Sequence, residues 1–440
     1  MPNLLLLHCH DLGRFLGCYG VPTVATPNLD RLAAEGTRFD QAFCAAPQCS
    51  PARGSLFTGR YPQQHGVMGL THSYFGWDLR PEVPHLAALL GAGGYGSTLL
   101  GVHHESRVRA DADIAARLGF DEVVTGGDAA TVAGRAVDRL GRYAESRQPF
   151  YLQVGFHEPH RDPGDRDAPG TMGFLGNHLQ PDDSNGVTVP PHLVDDAGSR
   201  AEIAELQGAV AAMDAGAGTV LQALRDLRLD DDTVVVFTTD HGLALPRAKC
   251  TLYDPGIGVS LIIRIPGRDA AVVDDLVSHV DIVPTLLELT GQPVPPDLPG
   301  RSLLPRLTGD RGQVRTEVFA QLSHHDYYDP RRCVRTANHK LIVNFSSAPD
   351  IMDCSQSWRP RSMPRGLAGS VPPYHAPVEL YDLRADPLEL RNLADDPTQQ
   401  AVRADLLQRL ADWMRAVEDP LLDGPVVAPM QRTATALLPG

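Results

Sequence analysis

The chain has 440 residues, of which 42% are hydrophobic and 21% are charged, and its formal net charge at pH 7 is −15. This length exceeds what one ordinary core supports, so a large domain with a smaller one is expected. The acidic balance argues against nucleic acid or an anionic membrane as a partner, and the seven scattered cysteines do not have the spacing of a disulfide framework.

The first predicted element is a buried strand over residues 3–7, followed directly by His8, Cys9, His10 and Asp11. The apolar run inside this strand is four leucines long and has no basic residues before it. It is too short for a signal peptide or a membrane span, and we therefore expect a cytoplasmic protein. A helix is predicted next, from Pro27 until Gly36 ends it.

Residues 49–60 read Cys-Ser-Pro-Ala-Arg-Gly-Ser-Leu-Phe-Thr-Gly-Arg and predict the start of another helix. Ser50 is the expected cap and Pro51 suits the first turn, which places Cys49 at the helix N-terminus. Free N–H groups and the helix dipole attract anions there, and Arg53 adds a fixed cation one turn later. Because a thiol in such a field is acidified, the stretch indicates a reactive cysteine beside an anion site.

Two later strands also end at polar residues. The strand predicted over 150–156 precedes His157-Glu-Pro-His160, and the strand predicted over 233–239 precedes Asp240 and His241. The remaining elements of this part are a long loop, a helix and a strand, at residues 161–198, 201–228 and 259–265.

Strands that alternate with helices predict an α/β fold with a mostly parallel central sheet flanked by helices. Ligands of such sheets bind beyond the carboxyl ends of the strands, where the polar clusters 8–11, 157–160 and 240–241 all fall. From about residue 314 the strands become shorter. We therefore predict a catalytic domain over 1–313 and a smaller C-terminal α+β domain over 314–440.

The pairs His10-Asp11 and Asp240-His241 offer two carboxylates and two imidazoles at neighbouring strand ends. Together they could hold one divalent ion, with a further ligand from Cys49 or from a substrate. Each pair alone could equally be a group of surface polar residues or a strand-end cap.

The string Cys-x-Pro-x-Arg closed by Thr-Gly-Arg resembles the signature of the type I sulfatases, in the alkaline phosphatase superfamily. Three more strings match along nearly the whole chain: Pro2-Asn-Leu, Thr26-Pro-Asn-Leu-Asp30 and, near the C-terminus, Glu379-Leu-Tyr-Asp-Leu383. The resemblance implies an alkaline-phosphatase-like sandwich. It also implies that a formylglycine-generating enzyme oxidises Cys49 to formylglycine, whose hydrate attacks sulfur beside a bound calcium ion.

The same resemblance implies the site residues by their motifs. His160 matches the second histidine of a His-x-Pro-His string, Lys249 precedes a Thr-Leu-Tyr string, and His104 ends a Gly-x-x-His string. The implied catalytic set is Cys49, Arg53, His104, His160 and Lys249. The implied metal ligands are His10, Asp11, Cys49, Asp240 and His241.

Two positions depart from the family pattern. Val102 stands where the family has a lysine, and His103 or Arg107 is the candidate for the missing charge. His10 stands where the family has an aspartate. Because nitrogen ligands favour softer ions than Ca²⁺, the alternatives Mg²⁺, Mn²⁺ and Zn²⁺ stay open.

Within the family, the chain most resembles the N-sulfoglucosamine sulfohydrolase branch, through the Ser323-His-His325 string and the block 157–161. This implies a small sulfated sugar as substrate. Two alternatives remain: a phosphodiester or phosphonate monoester hydrolase on the same fold, favoured by the Asp-His pair, and a non-catalytic binding protein, favoured by Val102 and His10.

Overall fold

A computed structural model of the chain describes residues 1–163, 172–176, 178–350 and 374–439. Its strands, in chain order, are β1 (Asn3–Cys9), β2 (Thr37–Phe43), β3 (Gly96–Gly101), β4 (Glu122–Thr125), β5 (Phe150–Gly155), β6 (Asp162–Pro163), β7 (Met172–Gly173), β8 (Thr233–Thr239), β9 (Leu261–Arg264), β10 (Ala271–Ser278), β11 (Glu317–His324), β12 (Tyr328–Thr336), β13 (His339–Asn344) and β14 (Val378–Asp382). Its α-helices are α1 (Pro27–Glu35), α2 (Cys49–Thr58), α3 (Pro62–His65), α4 (Leu86–Ala92), α5 (Asp111–Leu118), α6 (Ala129–Ser146), α7 (Ala197–Asp226), α8 (Asp254–Ile257), α9 (Ile282–Leu289), α10 (Leu304–Leu307), α11 (Gln400–Ala416) and α12 (Pro429–Ala436).

Eight strands form the central sheet in the order β10-β2-β9-β8-β1-β5-β3-β4. Strand β9 runs antiparallel to both of its neighbours, and the other seven strands share one direction. The predicted mostly parallel sheet is therefore confirmed. Its carboxyl edge carries the ends of β1, β5 and β8 side by side, because β1 pairs with both of the other two.

Strand β1 shows why the sheet is covered on both faces. Its leucines alternate between two cores, since Leu4 and Leu6 join one buried cluster while Leu5 and Leu7 join the other. The first cluster includes residues of α2, α4 and α9, and the second includes residues of α1, α6 and α7. A strand that is apolar on both sides is what a sheet between two helical layers requires.

The predicted boundaries agree well where the apolar runs are long. Strand β8 occupies the predicted residues 233–239, and helix α7 begins four residues before its predicted start. Strand β1 is two residues longer than predicted, and β9 is shorter than the predicted 259–265. Part of the predicted loop 161–198 lies outside the described residues, and its described part contains the two short strands β6 and β7.

The C-terminal part is a four-stranded antiparallel sheet, β11-β12-β13-β14, packed against α11. The predicted smaller α+β unit is therefore present. Its strands also contribute to the core of the large sheet, through residues such as Val318 and Ile342. The boundary between 313 and 314 stays a prediction. Within the described part of the chain, no helix is both long and apolar enough to cross a membrane.

Candidate active site

Helix α2 carries the cysteine at its first position, and every residue of the helix is buried. The prediction that Ser50 caps this helix is wrong, because the N-cap residue is Gln48, whose side chain makes no capping hydrogen bond. The hydroxyl of Ser50 instead lies 3.3 Å from that of Thr71. Cys49 still occupies the helix N-terminus, since the helix begins two residues earlier than a cap at Ser50 would place it.

Arg53 lies one turn further along α2 and ties the helix to the end of β1. Its guanidinium donates to His8 Nδ1 at 2.7 Å and to the carbonyl of Cys9 at 3.4 Å. One of its nitrogens lies 3.3 Å from Asp240 Oδ2, and the whole side chain is buried. His8 is therefore a site residue. Its contact with Arg53 was not predicted from the sequence, although His8 belongs to the polar cluster that follows the leucines.

The acidic residues at the ends of β1 and β8 are held against each other. The backbone N–H of Asp11 donates to Asp240 Oδ1 at 2.9 Å, and Asp11 has a φ of 50°, which non-glycine residues seldom adopt. Nε2 of His241 lies 3.1 Å from Asp11 Oδ1 and 3.4 Å from Cys49 Sγ. The predicted ligands from three different elements thus converge on one point.

The surroundings of His10 show whether these residues fit a metal ion. Its ring is fully buried and, among the described residues, neither ring nitrogen has a hydrogen-bond partner. Its Nδ1 lies 3.1 Å from Asp240 Oδ2, another buried atom without a hydrogen bond. Burial, with the charge of Arg53, lowers the pKa of His10 well below its usual value, so the ring is neutral. A neutral imidazole facing an unsatisfied carboxylate oxygen fits a cation between them.

The ligand atoms of His10, Asp11, Cys49 and Asp240 lie within 4.8 Å of one another, and all four residues are buried. His241, the fifth predicted metal ligand, lies beside these four residues. Its Nδ1 donates to the carbonyl of Gly242 at 2.9 Å, which turns Nε2 towards the carboxylates. The chain can therefore offer nitrogen, oxygen and sulfur donors to one ion.

Lys249 supplies the cation of the site and is one of only two lysines in the chain. Its Nζ donates to Asp11 Oδ2 at 2.8 Å, and His160 Nε2 lies 3.7 Å from the same oxygen. Burial would raise the pKa of Asp11, but neighbouring positive charge, that of Lys249 above all, outweighs it and holds that pKa well below its usual value. Burial lowers the pKa of His160 to about 4, which leaves Lys249 as the charged partner.

His104 lies beside His10, with ring centroids 5.0 Å apart, and its Nδ1 has no hydrogen-bond partner among the described residues. Burial lowers its pKa well below the usual value, so it is a neutral proton acceptor. A cavity of about 560 Å³ adjoins it. Val102, His103 and Arg109 line this cavity.

Of the two candidates for the missing lysine charge, only His103 lines this cavity. Arg107 is exposed and its side chain lies near Gly76. Arg109, an exposed arginine that sequence reasoning did not identify, lines the same cavity as Val102, the position of the missing lysine.

The two histidines of the Ser-His-His string have different surroundings. His324 packs among the aromatic rings of Phe75, Trp77 and Tyr328 rather than in the site. His325 is buried, and its burial, with a smaller contribution from the charge of Lys249, lowers its pKa. His72, whose ring lies 5.3 Å from that of His104, was not found from the sequence because no local pattern marks it.

Comparison with known proteins agrees with this arrangement. The Sulfatase family profile matches residues 2–292, and the profile described as N-sulphoglucosamine sulphohydrolase, C-terminal, matches residues 243–358. The N-sulphoglucosamine sulphohydrolase of Homo sapiens is 31% identical over 471 residues, covering 96% of this chain and 92% of that protein.

Solved structures show the same fold. A structure from a Bacteroides thetaiotaomicron locus for glycosaminoglycan metabolism has a TM-score of 0.73 at 20% identity, covering 97% of this chain and 99% of its own. The phosphonate monoester hydrolase of Silicibacter pomeroyi has a TM-score of 0.69 at 20% identity, covering 94% and 95%. At such low identity these two structures are evidence for the fold alone.

The profile that covers residues 2–292 and the relative aligned along 96% of the chain thus agree with the geometry, which gathers a cysteine, an arginine and two aspartates at one sheet edge. This chain belongs to the sulfatase family, whose members are hydrolases of sulfuric esters and sulfamates.

Proposed function

We propose that the chain hydrolyses a sulfate ester or a sulfamate on a small sugar of the N-sulfoglucosamine type. The reaction would use a formylglycine made from Cys49 and one divalent cation. The observation that carries the proposal is the convergence of Cys49, Arg53, Asp11, Asp240 and Lys249 on one buried point. The similarity to human N-sulphoglucosamine sulphohydrolase supports the sugar class.

The side chains have complementary tasks in this reaction. The guanidinium of Arg53 lies 3.3 Å from Asp240 Oδ2 and favours the ionised carboxylate, which can accept a proton from the nucleophile. Lys249 stabilises the sulfuryl oxygens and protonates the leaving group. The neutral His104 accepts the proton whose removal expels sulfate and restores the aldehyde.

Formylglycine supplies a geminal diol as the nucleophile, and a bound divalent cation supplies positive charge next to the sulfuryl oxygens. His10, Asp11, Asp240 and His241 would hold the ion together with residue 49. Calcium is the ion implied by the family, and the imidazole of His10 also admits Mg²⁺, Mn²⁺ or Zn²⁺. Because the formylglycine must be made, a maturation enzyme is the proposed partner.

A phosphodiester or phosphonate monoester hydrolase on the same fold is the second candidate. It is favoured by the Asp240-His241 pair. Val102 and His10 favour the third candidate, a binding protein in which Cys49 stays unconverted.

The first test is the mass of the peptide that contains Cys49, after co-expression with a maturation enzyme. Conversion to formylglycine lowers the mass by about 18 Da, by covalent arithmetic. The converted protein, stripped of metal and reloaded with each of the four ions, is then assayed for sulfate released from N-sulfoglucosamine and from glucosamine 6-sulfate.

We expect sulfate release that depends on metal and on conversion. Hydrolysis of a phosphonate monoester without sulfate release would favour the second candidate. A converted protein that hydrolyses neither substrate class would contradict the proposal, and the Cys49→Ala variant is the control for background hydrolysis.

A further inference from the structure

The thiol of Cys49, before any conversion, lies inside a ring of metal-binding atoms. Its Sγ is 3.4 Å from His241 Nε2 and 3.9 Å from Asp11 Oδ1, and the residue is 3% exposed. The same sulfur belongs to two groups whose ligand atoms lie within 4.8 Å of one another, one with His10, Asp11 and Asp240 and one with His10 and His104.

The composition of this ring differs from a set of hard ligands. Oxygen-only sets suit Ca²⁺ and Mg²⁺, whereas thiolate and imidazole suit Zn²⁺ and its spectroscopic substitute Co²⁺. One sulfur, one imidazole nitrogen and two carboxylate oxygens are the number and kinds of ligand that a tetrahedral zinc site uses. Cys49 and His10 give the ring that character, because Asp11 and Asp240 alone offer only oxygen.

The unsatisfied atoms point to the same ligand class. Nδ1 and Nε2 of His10 and Oδ2 of Asp240 are buried and, within the described chain, have no hydrogen-bond partner. Such atoms cost free energy unless a proton or a metal ion meets them. His10 Nδ1 lies 3.1 Å from Asp240 Oδ2, so one cation that accepts nitrogen and oxygen lone pairs can meet both atoms.

We propose that the unconverted chain is a zinc-class metal-binding protein, with Cys49 thiolate, His10, Asp11 and Asp240 as ligands. Binding releases the thiol proton to solvent. This inference rests on the proposed function in one respect only: both assign a metal ion to the same group of residues. It implies that the centre prefers soft ions while residue 49 is a cysteine, and harder ions once its sulfur is replaced by oxygen.

The test uses the full chain expressed without a maturation enzyme, with the intact Cys49 thiol verified by mass. The metal-free protein is titrated anaerobically with Co²⁺. We expect a sulfur-to-cobalt charge-transfer absorption and the visible bands of a tetrahedral site, saturating at one equivalent and lost when one equivalent of Zn²⁺ is added.

Three variants assign the signal. Cys49→Ser should abolish the charge-transfer absorption, while Cys18→Ser, at a half-buried cysteine outside both ligand groups, should leave it unchanged. His10→Asp should weaken Zn²⁺ binding at least about tenfold and bring the preference closer to that of an all-oxygen site.

A saturating Co²⁺ titration without charge-transfer absorption would overturn the proposal, and so would an absorption that survives in Cys49→Ser. If Cys49→Ser does not fold, the wild-type titration and the Cys18→Ser control still decide whether a thiolate other than that of Cys18 binds the ion. No substrate takes part in the experiment. An inactive matured enzyme would therefore refute the proposed function and leave this result untouched.

Discussion

At the scale of single residues, Arg53 does more than add charge to the site. Its planar guanidinium reaches His8, the carbonyl of Cys9 and Asp240 at once, and thereby aligns β1, α2 and the end of β8. An ammonium group is a point donor on a flexible stem and cannot keep these three directions.

We therefore expect Arg53→Lys to lower kcat for sulfate release at least about 100-fold, the usual cost of a lost preorganised donor. The rate is normalised to the fraction of residue 49 that mass spectrometry finds converted, since Arg53 belongs to the signature around the cysteine. Arg409→Lys, at an exposed ion pair on α11, is the matched control and should keep the wild-type rate. A correctly converted Arg53→Lys enzyme with full activity would contradict the assigned role.

Much of the site was predictable residue by residue because its members follow strands whose apolar runs are plain. Asp11, Asp240 and His160 come after β1, β8 and β5, and parallel strands bring those ends to one edge. The contact between His8 and Arg53 was not predictable, because 45 residues separate them and neither has a local pattern that marks a partner. The N-cap at Gln48 was likewise not predictable, because tertiary packing decides at which residue the chain turns into the helix.

At the scale of elements, helix α2 is supported from behind by His65 at the end of α3. His65 Nδ1 accepts from the backbone N–H of Val67 at 3.2 Å, and its Nε2 lies 3.1 Å from the hydroxyl of Ser55. Burial lowers the pKa of this ring from 6.5 to about 3. The folded protein therefore keeps His65 neutral in a pH range where the unfolded chain protonates it.

The unfolded state binds one more proton at this residue between about pH 6.5 and pH 3, so stability is lost as the pH falls through that window. We expect the free energy of unfolding to depend less steeply on pH in His65→Gln, by at most about 1.4 kcal/mol per pH unit. Urea denaturation at a series of pH values measures the slope, and His339→Gln is the control. An unchanged slope in His65→Gln would show that this ring is protonated in the folded state.

The loop that presents Lys249 is held by the smaller sheet. Residues 247 and 250, on either side of the lysine, have φ values of 63° and 58°, so this backbone relies on its surroundings. The hydroxyl of Tyr253 lies 3.0 Å from Asp350 Oδ1 and 2.9 Å from Glu379 Oε2, so its single proton is shared between two carboxylates and anchors the end of the loop.

Tyr253→Phe should lower the free energy of unfolding by about 1–3 kcal/mol, because it removes the buried donor that two carboxylates share. Chemical denaturation measures this loss, and kcat/KM for sulfate release should fall with it as the lysine loses its anchor. Tyr74→Phe is the matched control, since Tyr74 is 96% exposed. If both variants are equally stable, the hydroxyl of Tyr253 does not hold the loop.

At the scale of the whole molecule, the two predicted domains are not separate in their packing. Buried side chains of β11, β12 and β13 belong to the same apolar cluster as those of β2 and α2. Lys340, in the smaller part, is buried and forms ion pairs with Asp254 at 2.6 Å and with Glu389 at 2.8 Å. Removing one unit would expose both apolar surface and unpaired charge.

The full chain should therefore unfold in one calorimetric transition, with equal calorimetric and van't Hoff enthalpies. Scanning calorimetry of the intact protein provides the measurement. Two resolved transitions would show that residues 1–313 and 314–440 are independent domains, in line with the change to shorter strands from about residue 314. The fold class was predictable from the alternation of strands and helices, but the shared core was not, because its contacts join residues far apart in the chain.

The two lysines of the chain, Lys249 and Lys340, are both buried, and each forms an ion pair. Growth on ¹³C-labelled lysine would place just two sets of side-chain signals in the NMR spectrum of this 47.5 kDa protein. The Lys340→Arg variant would identify which set belongs to Lys249. That signal would then report directly on conversion of Cys49, on metal loading and on sulfate binding, without a substrate that changes colour and without assigning any other residue.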